Sequence, residues 1–157
     1  MNRFMSIVLL SSITFNAFAF DVELTGNVTV EIRNGSAVKK INLDTIVNGY
    51  TVKCDGSKIA MWGKPVKFND SNPQDTNIII INLNKGYKKV EKRVSEGVFG
   101  IEYLKGKDRA FIDVGKGLFV NLSTGQLGDV KSDFDSSDDN NFESCDKNKS
   151  WEFNRYN

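Results

Sequence analysis

The chain is predicted to be all-β: an antiparallel meander of about 8–10 short strands carrying one disulfide. Three observations point there. Apolar and polar residues alternate in short runs. Glycine-bearing turns separate those runs at steady spacing. The chain has only two cysteines, Cys54 and Cys145, which stand 91 positions apart. Strands of this length and spacing fit a sandwich, a barrel or propeller-like sheets.

The N-terminus precedes this pattern. Arg3 leads an apolar run from Phe4 to Ile13, and Ala17-Phe18-Ala19 follows. A basic start, an apolar centre and an Ala-x-Ala end describe a secretory signal peptide at 1–19, cut after Ala19. The apolar run is too short for a bilayer, which takes about 20 residues, so no membrane insertion is expected after cleavage. Residues 20–157 then form a single β-rich domain, periplasmic or secreted. Removing Arg3 leaves that domain with no net charge. A balanced charge argues against a nucleic-acid partner, which needs a basic field.

The strands follow in order. Residues 27–33 and 36–43 flank Asn34-Gly35, the pairing expected of a hairpin with a type I′ turn. Residues 50–54 and 58–62 flank Asp55-Gly56-Ser57, a second hairpin, and 65–68 continue it. The run 76–83, TNIIIINL, reads as a strand buried on both faces. Residues 86–94 carry Tyr87, Val90 and Val94 at helical spacing. Their strand-like neighbours favour a charged edge strand over a helix, since sequential strands tend to pair. Residues 98–104, 109–114 and 118–122 complete a meander with turns at Lys105–Asp108 and Gly115-Lys116-Gly117. An acidic loop occupies 128–150, and 151–157 offer a last strand with Trp151 and Phe153 on one face.

In an exported chain, two cysteines imply a Cys54–Cys145 bridge. A nucleophilic cysteine wants a base, usually histidine, and the chain has none. Zinc wants more soft ligands than two cysteines supply. The lack of histidine also excludes Ser-His-Asp and Cys-His catalysis. A carboxylate pair among Glu102, Asp113 and Glu143 is the one acid–base chemistry left open. No phosphate loop is present, because Gly115-Lys116-Gly117 lacks its spacing. The expectation is a non-enzyme without cofactors.

Asp133, Asp135, Ser137, Asp139 and Asn141 fall on alternate positions, as ligands do in calcium loops. Asp138 stands where that loop needs glycine, and Ser144 where it needs glutamate. A solvated acidic loop and a low-affinity calcium site at Asp133, Asp135 and Asp139 both stay open. Residues 85–109 hold eight Lys/Arg against four Asp/Glu. They read either as solvated edge lysines that oppose aggregation or as a partner-binding surface.

The Cys54/Cys145 pair, the signal peptide and the meander FGIEYLKGKDRAFIDVGKGLFVNLSTGQ at 99–126 resemble bacterial periplasmic immunity proteins that neutralise type VI secretion amidases. The resemblance implies a protein that plugs a toxin's catalytic cleft with a protruding loop. Tyr50 to Gly56 is also similar to an early strand of periplasmic lysozyme inhibitors. The inhibitory loop of that family is matched only by Ser95-Glu96-Gly97 and Tyr103. Both resemblances imply occlusion of a peptidoglycan hydrolase. The contact residues expected from exposure and charge are Ser95, Glu96, Lys105, Lys107, Asp108 and Lys116. The alternative is a structural or adhesive surface module, stiffened by calcium at the acidic loop.

Overall fold

The structure, a computed structural model, describes residues 20–67, 69–144 and the backbone of 150–151. Residues 1–19, where a signal peptide is expected, Phe68, Cys145 and the side chains of the last strand lie outside the described residues. Among the described residues twelve strands form three antiparallel sheets. The first holds β1 (Asp21–Leu24), β2 (Thr29–Asn34) and β3 (Ala37–Asn42), in that order. The second joins β4 (Thr45–Val52), β5 (Lys58–Pro65), β6 (Thr76–Asn82) and β7 (Lys88–Val94), with β12 (Ser150–Trp151) added beside β4. The third orders β8 (Gly100–Tyr103), β9 (Arg109–Asp113), β10 (Leu118–Asn121) and β11 (Leu127–Asp129) as a plain meander.

The sheets stack in three layers with the second in the middle. Along β5 and β6 successive side chains leave opposite faces, and both faces are apolar. Ile59, Met61, Ile79 and Ile81 meet Val22, Val30 and Ile32 of the first sheet. Ala60, Trp62, Ile78 and Ile80 meet Ile101, Ala110, Ile112 and Val120 of the third. This is why the isoleucine run shows no alternation, as expected of a doubly buried strand. Each sheet is open, so the stacked arrangement holds and a closed barrel does not.

Residues 86–94 are strand, as their neighbours imply. Two strands escape the sequence reading. β1 is short and begins at Asp21, and β11 is Leu-Gly-Asp with a single apolar side chain. The first hairpin is present with a different turn. Asn34 pairs with Ala37, so Gly35 and Ser36 are the central residues, and of these only Gly35 has positive φ. That is the type II′ pattern. Consecutive positive φ values fall instead at Gly86 (63°) and Tyr87 (59°), between β6 and β7. Tyr87 tolerates this conformation while packing against the core shared by the first two sheets.

Candidate functional site

The outer face of the third sheet and the loops at one of its ends hold most of the expected functional residues. β8 and β9 are joined by Leu104–Asp108, a hairpin tip built on positive φ at Gly106. Leu104 N–H donates to the Arg109 carbonyl at 3.0 Å, and Lys107 N–H to the Leu104 carbonyl at 3.2 Å. Leu104 is buried against Phe111 and Phe142.

The acidic segment buttresses this tip. Most of its side chains are exposed, but Phe134 and Phe142 turn inward onto Phe111 and Phe119. The Phe119 and Phe134 rings meet edge-on with centroids 4.9 Å apart. Asp138 caps a short 3-10 helix at Asp139–Asn141. From there Lys105 N–H donates to the Asn141 carbonyl at 3.0 Å, and Glu143 N–H to the Tyr103 carbonyl at 2.9 Å. The loop is thus fastened by two phenylalanines that charge counting passes over. Their spacing in an otherwise polar stretch was the available signal.

Charges lock the tip from below. Asp108 Oδ1 pairs with Lys58 Nζ at 3.1 Å, and Asp108 also accepts from the Ser123 hydroxyl. Burial works to raise the Asp108 pKa. The Ser123 hydrogen bond and the Lys58 ammonium outweigh it and hold the carboxyl below its ordinary value. Lys58 is itself only 7% exposed. Nearby, Lys53 Nζ lies 2.7 Å from Glu143 Oε1 and 2.9 Å from Asp55 Oδ2. Burial opposes the Lys53 charge, but these two carboxylates prevail and raise its pKa. Asp108, expected as a contact residue, is therefore a tether of the tip. Lys105 and Lys107 point outward, and among the described residues no carboxylate pairs with either.

The structure splits the expected contact residues between two places. Ser95 and Glu96 precede β8, and Lys116 follows β9, at the end opposite the Lys105–Asp108 tip. β8 alone, at about 3.3 Å per residue, keeps the two groups more than about 10 Å apart. All three of those residues are exposed.

The carboxylates named by sequence separate in the same way. Glu102 and Asp113 share the outer face of β8–β9, one diagonal apart, since Glu102 pairs with Phe111 and Asp113 with Gly100. Burial, Asp113 and Asp139 raise the Glu102 pKa. Glu143 belongs to the Lys53 cluster instead. In the calcium candidate, Asp135 Oδ1 accepts from the Ser137 backbone at 2.9 Å and from its hydroxyl at 2.6 Å. Asp138 is spent on Asn140. Among the described residues no three acidic, histidine or cysteine side chains gather as metal ligands. No helix among them is long and apolar enough to cross a membrane.

Beside the tip lies a cleft of about 140 Å³ lined by Arg109, Phe119, Asn121, Gln126, Leu127, Gly128 and Asp129. Nothing in the sequence marked it, because its walls come from three strands brought together only by register. No family model matches the chain, and no curated protein is similar enough to match it.

Proposed function

We propose that this chain is an exported inhibitor of the immunity-protein kind, which binds a cell-wall-degrading enzyme and occludes its cleft with the 104–108 tip. One observation carries the reading. Among the described residues no carboxylate pairs with Lys105 or Lys107, and the loop that carries them is tethered at several points. Leu104 is sunk in an aromatic cluster, Asp108 is held by Lys58 and Ser123, and Lys105 is hydrogen-bonded through its backbone to Asn141. A loop ordered before contact loses little entropy on binding, and affinity gains accordingly. Hydrolase clefts that work through carboxylates are acidic, so two lysines on a rigid tip have the complementary charge.

The test is capture and inhibition. Mature protein, residues 20–157, should retain one peptidoglycan hydrolase from periplasm or rival-cell lysate at one-to-one ratio and silence it. K105E/K107E should weaken that complex about a hundredfold, roughly 2.7 kcal/mol. Equal affinity for the double variant would remove the tip from the interface. A column that retains no hydrolase would move the reading to a structural or adhesive module.

A further inference from the structure

The cleft beside the tip has a construction of its own. On the outer face of the third sheet, Arg109 pairs with Asn121, and Asn121 N–H donates to the Gln126 carbonyl at 2.9 Å. These three polar residues therefore form a row across β9, β10 and the residue that precedes β11. The adjacent row is Phe111, Phe119 and Gly128. Gly128 has no side chain where the row expects one, and a Cβ built there would meet nothing within 4 Å. The missing side chain is the dent, Phe119 is one wall and the Arg109 row is the other.

The donors outnumber the acceptors. Asn121 Oδ1 already accepts from the Ser123 and Thr124 backbones at 3.0 and 2.9 Å. Its NH2 group is what remains to offer. Arg109 is exposed, and among the described residues no carboxylate pairs with it. Asp129 stands at the rim. It pairs with Leu118, so strand alternation sends its side chain to the face opposite that of Gly128. A guanidinium and an amide NH2 beside an aromatic ring make a seat for a planar anion with an apolar stem.

We propose that this cleft receives an aspartate or glutamate side chain of the protein partner, with its carboxylate on Arg109 and Asn121 and its methylenes against Phe119. The proposal rests on the reading that a protein partner docks at this end of the sheet. Arg109 lies two residues beyond Lys107 on the hairpin, so one acidic partner surface meets all three cations. The volume suits a single side chain.

The experiment uses mature protein and N-acetyl-glutamate-N-methylamide as the probe, followed by 1H–15N NMR. Saturable millimolar shifts should centre on Arg109, Asn121 and Gln126. N-acetyl-glutamine-N-methylamide should give none. Arg109→Gln and Gly128→Val should each weaken binding at least tenfold; Gly128 has open space and no positive φ, so its valine variant keeps the fold. Shifts equal for both probes, shifts spread evenly over all lysines, or binding unchanged by Gly128→Val would overturn the proposal. No hydrolase is involved, so failure here is separable from failure of the Lys105/Lys107 tip.

Discussion

The Cys54 backbone N–H donates to Glu143 Oε2 at 3.2 Å, joining residues 89 positions apart. Cys145 is two residues beyond Glu143, and β12, five further on, pairs Ser150 with Thr51. The chain is thus seated against the end of β4 on both sides of Cys145. Cys145 itself lies outside the described residues, and no free cysteine occurs among them. The Cys54–Cys145 bridge is the expectation from composition, and mapping tests it directly. Peptide mapping without reductant should recover the linked peptides. The Cys54→Ala/Cys145→Ala variant should lose about 2–5 kcal/mol of stability, read by chemical denaturation. Two free thiols in protein recovered from an oxidising compartment would refute the pairing.

The Lys53–Glu143 pair should be worth measuring as a cycle. Both side chains are mostly buried, at 14% and 12% exposed. Lys53→Met leaves Glu143 with the Cys54 N–H and no counter-ion, a loss of about 1–3 kcal/mol. Glu143→Gln should cost less, because its amide oxygen still accepts from Cys54. The double variant Lys53→Met/Glu143→Gln should recover part of the loss, since removing both charges spares their desolvation. Strict additivity of the two single effects would show that the pair is not coupled.

Two glycines of similar appearance in sequence should behave oppositely. A Cβ on Gly63 would overlap the Ile46 carbonyl across the β4–β5 pair, and backbone cannot step aside. Gly63→Ala should destabilise by about 3 kcal/mol. Gly128→Ala enters open space and should stay within about 0.5 kcal/mol of wild type. Thermal melts of the two variants decide the point.

Opposed carboxylate shifts predict the acid limb of stability. Asp55 and Asp108 have lowered values in the fold, with hydrogen bonds and lysines overcoming burial. Their contribution is present above the ordinary value of 3.8 and is lost as pH falls through the lower folded values. Glu102 has the opposite sign. Its folded value is raised by burial and by Asp113 and Asp139, so its contribution is full below the ordinary 4.5 and lost as pH rises through the folded value. Glu102→Gln should therefore raise the melting temperature at pH 7 and have no effect at pH 3. A stabilisation of equal size at both pH values would mean that the gain is not electrostatic.

Much of the middle layer was readable from residue type. The β-branched run at 76–83 could be buried on both faces only between two other sheets, and Asp55-Gly56-Ser57 closes the β4–β5 hairpin as expected. What escaped reading depends on long-range placement. Ser95 and Lys107 look alike as exposed loop residues, yet β8 puts them at opposite ends. Asp108 looks like a free surface charge until Lys58, fifty positions earlier, is brought beneath it. Arg109, Phe119 and Gly128 become neighbours only through the registers of two strand pairs. Phe134 and Phe142 sit in acidic surroundings, and only the aromatic cluster they complete explains them.

The doubly buried β6 removes a safeguard that most strands possess. Where one face is wet, a one-residue slip in pairing exposes apolar side chains and is rejected by polarity alone. A slip along Ile78–Ile81 would exchange isoleucine for isoleucine on both faces. Alignment must then be specified at the strand's end. Asn77 does this: its Nδ2 donates to Thr45 Oγ1 at 2.9 Å and to Glu91 Oε1 at 3.2 Å, and its Oδ1 accepts from Arg93 Nε at 3.2 Å. One buried amide bonded to both β4 and β7 acts as the index mark for the central sheet. Through that sheet it also fixes which isoleucines face each of the two cores.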